Sequence, residues 1–544
     1  MNNISSKIKK MSKVNLDALI PRADFIDDKT TPGDFSTIEK LTLGHLLPNS
    51  SGNYISIYHL LKKPDFQRET NEWDKKRICD LIEAFIDRSF IPSVILWQNA
   101  QTGNLYVIDG SHRLSAIIAF INDDYGDMEI SHTFYSYNKI PQAELELAQE
   151  TRDYIKKRLG GSFKEIMEQG GQKADGIKKA SFDVQFVKGD VVVAEKSFFK
   201  INQQGVVLSP TEKKLCESRP KPICISTRII MKGAGGEQYW KNFTADNQAK
   251  SRSVAQELHK ALFEPPYNQD TKSIILHHPL GGSITNAMPM IFNLMEIIKS
   301  HYSNNNEWEP VDDRYSGSAT CEILEITRKL IWKILSEQPG SLGLFPSIYF
   351  YNSGGKYIQS AFLGMAELLI ENSNNDSVFL PKFIQVRKSL EDFLIKYKVF
   401  ITQINRKYGS KERSHRHMKG FFLNLLNLLS LEQDEAKIIA SLKVKYDFLN
   451  EIESDTEKSK PGKFSKEAKI AGIIKEELHG IVKCHICGGH VHPMSKSHDH
   501  NDDVKNGGKS FEYNRKSSHV YCNMSKDKLI KMGIHIPEKI ENNP

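Results

Sequence analysis

A chain of 544 residues is too long for one hydrophobic core and points to two to four domains. Its 39% hydrophobic and 26% charged residues suit a globular protein, and no apolar run reaches the ~18 residues of a membrane-spanning helix. A formal charge of +7 admits a polyanionic partner without requiring one. Of the seven cysteines, Cys484, Cys487 and Cys522 lie close to the C-terminus, while Cys79, Cys216, Cys224 and Cys321 are scattered. That distribution fits metal-bound thiolates in a reducing compartment better than disulfides. Met1 to Lys13 is polar and basic with no apolar leader, so a cytoplasmic location is expected.

Residues 1–50 are polar and rich in turn residues, and read as a loosely packed lead-in. Ile78, Leu81, Ile82, Phe85 and Ile86 recur at helical spacing and predict a helix over Lys75–Arg88. Ser93–Trp97 and Leu105–Ile108 read as buried strands on either side of the Gly103-Asn104 turn. The second strand runs into Asp109-Gly110-Ser111-His112-Arg113 and then a helix, Leu114–Ile121. A strand, a glycine turn and a helix start make a corner suited to phosphate: backbone N–H groups face the anion, and Arg113 can add a bidentate contact. The plainer reading is a salt-bridged core corner. Phe182–Val187 reads as a further strand. Asn202 and Gly205 suit a tight turn ahead of a helix capped by Ser209 with Glu212.

Gln67-Arg68, Asp109–Arg113 and Ile201-Asn202-x-x-Gly205 with Leu208-Ser209 together resemble the N-terminal domain of GmrSD-type restriction proteins and their SspE and BrxU relatives. That fold is similar to ParB and sulfiredoxin. The resemblance implies an α/β sensor domain over 51–225 that binds, and in relatives hydrolyses, a nucleoside triphosphate. Its nucleotide-binding residues would be Gln67, Arg68, Asp109, Gly110, Ser111, His112, Arg113 and Asn202. The family's usual loop is Asp-Gly-Gln-Gln-Arg. Here Ser111-His112 replaces the middle pair, which bears on hydrolysis and base choice more than on phosphate binding.

Residues 226–452 are mostly helical in pattern, with apolar periodicity over Val254–Leu262, Ala287–Lys299, Ile323–Leu335, Gln359–Ile370 and Phe421–Leu429. Gly343–Tyr351 reads as a short strand or loop among them, its aromatics in the core or stacking on a flipped base. Lys411–Lys419 is a basic run, read as a solvated helix entry or a DNA-backbone contact. Residues 453–465, with Pro461-Gly462, read as a linker to a C-terminal module over 466–544.

In that module Cys484-x-x-Cys487 and His519-x-x-Cys522 are two half-sites able to close one tetrahedral zinc site. His485, His490, His492 and His498 are rival ligands, less regularly spaced. A domain this small is marginal on burial alone, and zinc would offset that by roughly 10–16 kcal/mol. Between the half-sites lie Asp499-His500, Gly507-Gly508, Asn514 and then Asn523. This order resembles the zinc-bound form of the HNH endonuclease motif, a ββα-metal fold. The resemblance implies a catalytic set of Asp499, His500, Asn514 and Asn523. His500 would be the general base, and Asp499 and Asn523 would hold a Mg²⁺ or Mn²⁺ ion, with Asn514 orienting the loop that carries His500. Asp502 and Asp503 depart from the family's apolar and proline positions there.

The expected whole is an α+β multidomain protein: a ParB/sulfiredoxin-like α/β domain, a helical middle and a zinc-stabilised HNH domain. Its expected activity is nucleotide-regulated nicking or cleavage of phage or modified DNA. The expected partners are DNA, a nucleotide and a second copy of the chain, with no membrane. The competing readings are a non-cleaving DNA-binding regulator with a ParB-like clamp and a zinc finger, and a toxin that attacks nucleic acid.

Overall fold

The computed structural model describes residues 13–23, 38–48, 56–64, 67, 70–100, 102–134, 140, 142–203, 214–215, 218–234, 239–264, 273–284, 287–302, 312–409, 414–432, 434–451, 464 and 466–534. The chain divides into two compact units, Met1–Arg219 with Gly235–Asn242, and Pro220–Ala234 with Phe243–Pro544. Among the described residues no helix is long and apolar enough to cross a membrane.

The first unit is built on a six-stranded mixed sheet. Its strands are β1 (Arg22–Ala23), β2 (Lys40–Thr42), β3 (Leu61–Pro64), β4 (Val94–Gln98), β5 (Leu105–Asp109) and β6 (Ser181–Phe186), in the order β1-β3-β5-β4-β6-β2. Pairs β1/β3, β3/β5 and β4/β6 are parallel; β4/β5 and β2/β6 are antiparallel. Strand β5 is apolar on both faces because both are covered. Leu105 and Val107 join the core made with helices α1 (Lys75–Ile86) and α2 (Ser111–Asn122). Tyr106 and Ile108 pack instead with Trp97 and with Val191, Ala194 and Phe198 of α3 (Val191–Gln203). Helix α1 starts where Asp74 accepts a hydrogen bond from the Arg77 N–H at 2.8 Å, and Ile78, Cys79, Ile82, Phe85 and Ile86 form its buried stripe.

Two expectations are corrected in this unit. The supposed loose lead-in supplies β1, β2 and core residues Val14, Leu16, Leu19, Ile20, Leu41, Leu43 and Leu46. Short apolar pairs separated by polar residues showed no period, yet β1 pairs with β3 and β2 with β6, at the two edges of the sheet. Asn202 lies within α3 rather than in a tight turn. Gly205, Ser209 and Glu212 lie outside the described residues, as does Arg68.

The second unit is helical around α6 (Gln359–Glu371), in which every residue from Ser360 to Ile370 is buried. Around it lie α4 (Met288–Tyr302), α5 (Ser318–Ile334) and, beyond α7 (Asp376–Lys396) in the chain, α8 (Ser414–Leu431), against which α7 packs. Within Gly343–Tyr351, residues 343–345 form a buried loop, and Tyr351 makes an isolated bridge with Tyr357. Pro346–Tyr349 is one helical turn opened by its proline, and Tyr349, Phe350 and Tyr351 are buried, so they are core rather than a surface for a base. In the basic run, Lys411, Glu412 and Arg413 lie outside the described residues. Lys419 pairs with Glu367 and Glu371 of α6, and His415 and Arg416 face Glu367, so these charges serve helix packing. Most of residues 453–465 lies outside the described residues. Beyond it, α9 (Lys466–His479) returns to the bundle: Glu477 accepts from Ser273 Oγ at 2.8 Å and from the Ile274 and Ile275 N–H groups.

Candidate functional site

The C-terminal stretch folds as a two-stranded antiparallel hairpin, β7 (Lys496–His500) with β8 (Arg515–His519), followed at once by α10 (Val520–Met524) and α11 (Lys526–Lys531). Register pairs Lys496 with His519 and His500 with Arg515, so the metal half-site lies at one end of the hairpin and His500 at the other. Both α10 and the knuckle preceding β7 lie beside the hairpin, which gathers residues spread over 484–526.

Cys484, Cys487, His519 and Cys522 are all buried, with their ligand atoms within 4.8 Å of one another. His519 Nε2 lies 2.9 Å from the His490 carbonyl oxygen, which fixes Nε2 as the donor and leaves Nδ1 toward the thiols, 3.4 Å from Cys487 Sγ. That carbonyl contact is the usual support of a metal-ligating imidazole. Burial opposes ionisation of Cys484, but bonds from Cys487, Cys522 and His519 hold its thiol well below the ordinary value. Burial and the bond to Cys484 push Cys487 up; bonds to Cys484 and Cys487 push Cys522 up. One thiolate is favoured at the expense of the other two. A divalent cation would let all three ionise, and three thiols with one imidazole are a donor set that can bind zinc.

The four rival histidines each have another environment. His485 Nε2 meets Asp499 Oδ2 at 2.7 Å, and His490 Nδ1 meets Glu391 Oε2 at 2.9 Å. His498 Nδ1 accepts from Arg515 Nε, and His492 is packed edge-on against Phe345, where burial pulls it down to about 3.

Behind the knuckle stands a buried network that sequence reading missed. Glu391 of α7 accepts from Arg387 Nε at 2.8 Å, from the Tyr349 hydroxyl at 3.0 Å and from the His490 N–H at 2.6 Å. Burial would raise the Glu391 carboxyl, but Arg387 and His490 outweigh it and bring it to about 2. Arg387 also donates to the carbonyls of Leu342 and Gly343. The approach is close enough that a Cβ on Gly489 would lie 2.8 Å from Arg387 Nε. Ser495 and Tyr521 add bonds to Ser341, at 3.1 Å each. An i,i+4 Arg-Glu pair looks like a surface ion pair in sequence; only its complete burial gives it away.

At the other end of the hairpin, Asn514 is buried and satisfied on every side. Its Oδ1 accepts from the Asp502 N–H at 2.7 Å, and its Nδ2 donates to the carbonyls of Asp502 and Lys509. It therefore clamps the loop that follows His500. His500 Nε2 lies 3.0 Å from Ser510 Oγ. Asp499 is buried, and hydrogen bonds from His485 and Lys526 overcome the effect of burial to hold its carboxyl below the ordinary value. Asn523 Nδ2 donates to Ser497 Oγ at 2.7 Å and the His498 carbonyl at 3.1 Å, which ties α10 to β7. Lys526, which closes this stretch but had no role assigned from the sequence, donates to Asp499, Asp503 and the His500 carbonyl. A carboxylate and an amide oxygen are a donor set suited to a hard divalent ion.

In the first unit, Gly110 has φ +98° at the junction of β5 and α2, a conformation open to glycine; a Cβ there would press on Val94 and the Arg113 guanidinium at 3.2 Å. Arg113 Nη2 donates to Asp109 Oδ2 at 2.8 Å and to the Ser93 carbonyl at 3.1 Å. Gln67 Nε2 reaches Ser111 Oγ at 3.4 Å, and the Gln67 carbonyl accepts from Arg22. His112 stacks on Trp73. The corner thus gathers Gln67, Asp109, Gly110, Ser111 and Arg113, while Arg68 and the Asn202 side chain lie outside the described residues. Sequence reading missed the support beneath it, buried Asp17 with Arg22 and Lys63. Burial would raise Asp17, but the two cations hold it far below the carboxylate range.

Residues 50–217 match the family model described as GmrSD restriction endonuclease, N-terminal domain. Comparison with curated proteins and with solved structures gives no match.

Proposed function

We propose that this chain is a metal-dependent DNA endonuclease of the restriction type that acts in defence against phage, with its N-terminal domain controlling a C-terminal HNH site. The observation that carries this reading is the ββα arrangement of β7, β8 and α10. Its first strand ends in Asp499-His500, its helix carries Asn523, and Asn514 clamps the intervening loop beside a Cys₃His cluster. The family match over residues 50–217 supports the restriction and defence context and makes DNA the expected substrate.

In this reading zinc at Cys484, Cys487, His519 and Cys522 holds the frame. His500 takes the proton of the attacking water, and a Mg²⁺ or Mn²⁺ ion held by Asp499 and Asn523 would supply charge neutralisation at the scissile phosphate. The N-terminal domain binds a nucleotide at the Gly110 corner through the α2 N-terminus and Arg113, and that binding exerts the control. The test is a cleavage assay on modified and unmodified phage DNA with Mg²⁺ or Mn²⁺ and each nucleoside triphosphate, run beside His500→Ala. Cutting by the wild type that disappears in the variant supports the reading. Equal cutting by both, or none under any condition, refutes it.

A further inference from the structure

We propose that His485 and Lys526 are positioning residues that grip Asp499 from two sides and present it to a divalent ion through Oδ1 alone; this rests on the nuclease reading above. An ionised carboxylate offers about four lone-pair directions. Three of those on Asp499 are filled. Oδ2 accepts from His485 Nε2 at 2.7 Å and from Lys526 Nζ at 3.0 Å, and Oδ1 accepts from the His500 N–H at 2.8 Å. The fourth, on Oδ1, has no partner among the described residues. An ammonium at Oδ2 repels a second cation from that oxygen, so the pair of oxygens cannot chelate one ion. A single-point ligand remains.

The two gripping residues arrive from opposite parts of the module. His485 stands between the two cysteines of the first half-site, and its backbone N–H donates to the Ser517 carbonyl of β8 at 3.0 Å. Its ring is therefore aimed by the metal cluster and by the strand paired with β7. Because the ionised carboxylate can only accept, His485 Nε2 carries the proton. Lys526 opens α11, and the same ammonium that holds Asp499 donates to Asp503 Oδ1 at 2.9 Å and the His500 carbonyl at 3.0 Å. It thereby joins the metal-ligand residue, the strand end carrying the base and the loop beyond it. Asp503, which departs from the family pattern, has a place as the counter-charge of this lysine.

Hydrogen-bond partners of ligating side chains typically contribute 10–100-fold to metal affinity. The experiment uses the full-length, zinc-loaded chain and measures Mn²⁺ binding by the electron paramagnetic resonance of the free ion, with zinc content determined in parallel. His485→Ala should weaken Mn²⁺ binding by about 10–100-fold with zinc content unchanged. His485→Gln, which retains an N–H donor, should recover most of the affinity. Lys526→Met should also change Mn²⁺ binding, because it frees Oδ2. Wild-type Mn²⁺ affinity in His485→Ala would overturn the proposal, and so would zinc loss in both His485 variants without rescue by glutamine. His500→Ala keeps the grip intact and should bind Mn²⁺ as the wild type does. If His500→Ala still cuts DNA, the nuclease reading fails while the Mn²⁺ result for His485 stands on its own.

Discussion

The corner at Gly110 and the hairpin at His500 both combine a strand end, a turn and a helix, yet they divide labour differently. At the corner, the groups that would meet a phosphate also hold the fold. Arg113 closes onto Asp109 and Ser93, and Gly110 supplies a backbone conformation that α2 needs to start. At the hairpin, the metal cluster that would support the frame and the proposed base sit on separate residues. The buried Cys₃His cluster and Glu391 lie at one end, while His500 Nε2 at the other meets, among the described residues, a serine hydroxyl. A change at the corner should therefore disturb stability and binding together, whereas a change at the hairpin can remove one without the other.

With zinc in the Cys₃His cluster, as proposed, stripping the metal should give the largest effect. Structural zinc contributes roughly 10–16 kcal/mol in small modules, so chelation should unfold the knuckle and abolish cleavage together, as followed by circular dichroism and DNA nicking. His500→Ala comes next, with cleavage falling by about 10²–10⁴-fold and the thermal midpoint unmoved; a shifted midpoint would break the proposed separation. Glu391→Ala leaves Arg387 buried without its partner and should cost about 3–5 kcal/mol in urea unfolding of the second unit. Acid sharpens that result. Glu391 titrates at about 2 in the folded chain against 4.5 ordinarily, so the native state binds fewer protons between those values. The stability it supplies is complete above about pH 4.5 and is lost as pH falls toward about 2, and Glu391→Gln should flatten that part of the wild-type profile. Gly110→Ala is the smallest, about 1–3 kcal/mol of backbone strain, and should weaken nucleotide binding in the same variant.

What could be read from the sequence follows the range of the signals. Helical period and strand runs show within a dozen residues, so α1, β4, β5, β6 and the middle helices are visible with ends a few residues off. The half-sites at 484–487 and 519–522 show because metal geometry imposes short, regular spacing. The edge strands β1 and β2 do not, since two or three residues carry no period and acquire their partners 41 and 139 positions away, counting Arg22 to Lys63 and Thr42 to Ser181. Nor does the role of His485 or His490. In sequence each is a histidine near cysteines, and only the fold sets one against Asp499 and the other against Glu391.

The seat of the knuckle on α7 bears on how such proteins can be rearranged. His490 and Glu391 meet across 99 residues of chain, and the Ser341–Ser495 bond spans 154. A cassette that began at residue 466 would carry the metal ligands but leave this seat behind, with Arg387 and Glu391 uncovered in the donor. Transplanting the metal hairpin onto another N-terminal domain would thus have to bring α7 and the Ser341–Tyr351 segment with it. Inheritance and engineering alike should find the helical region and the metal hairpin travelling as one piece.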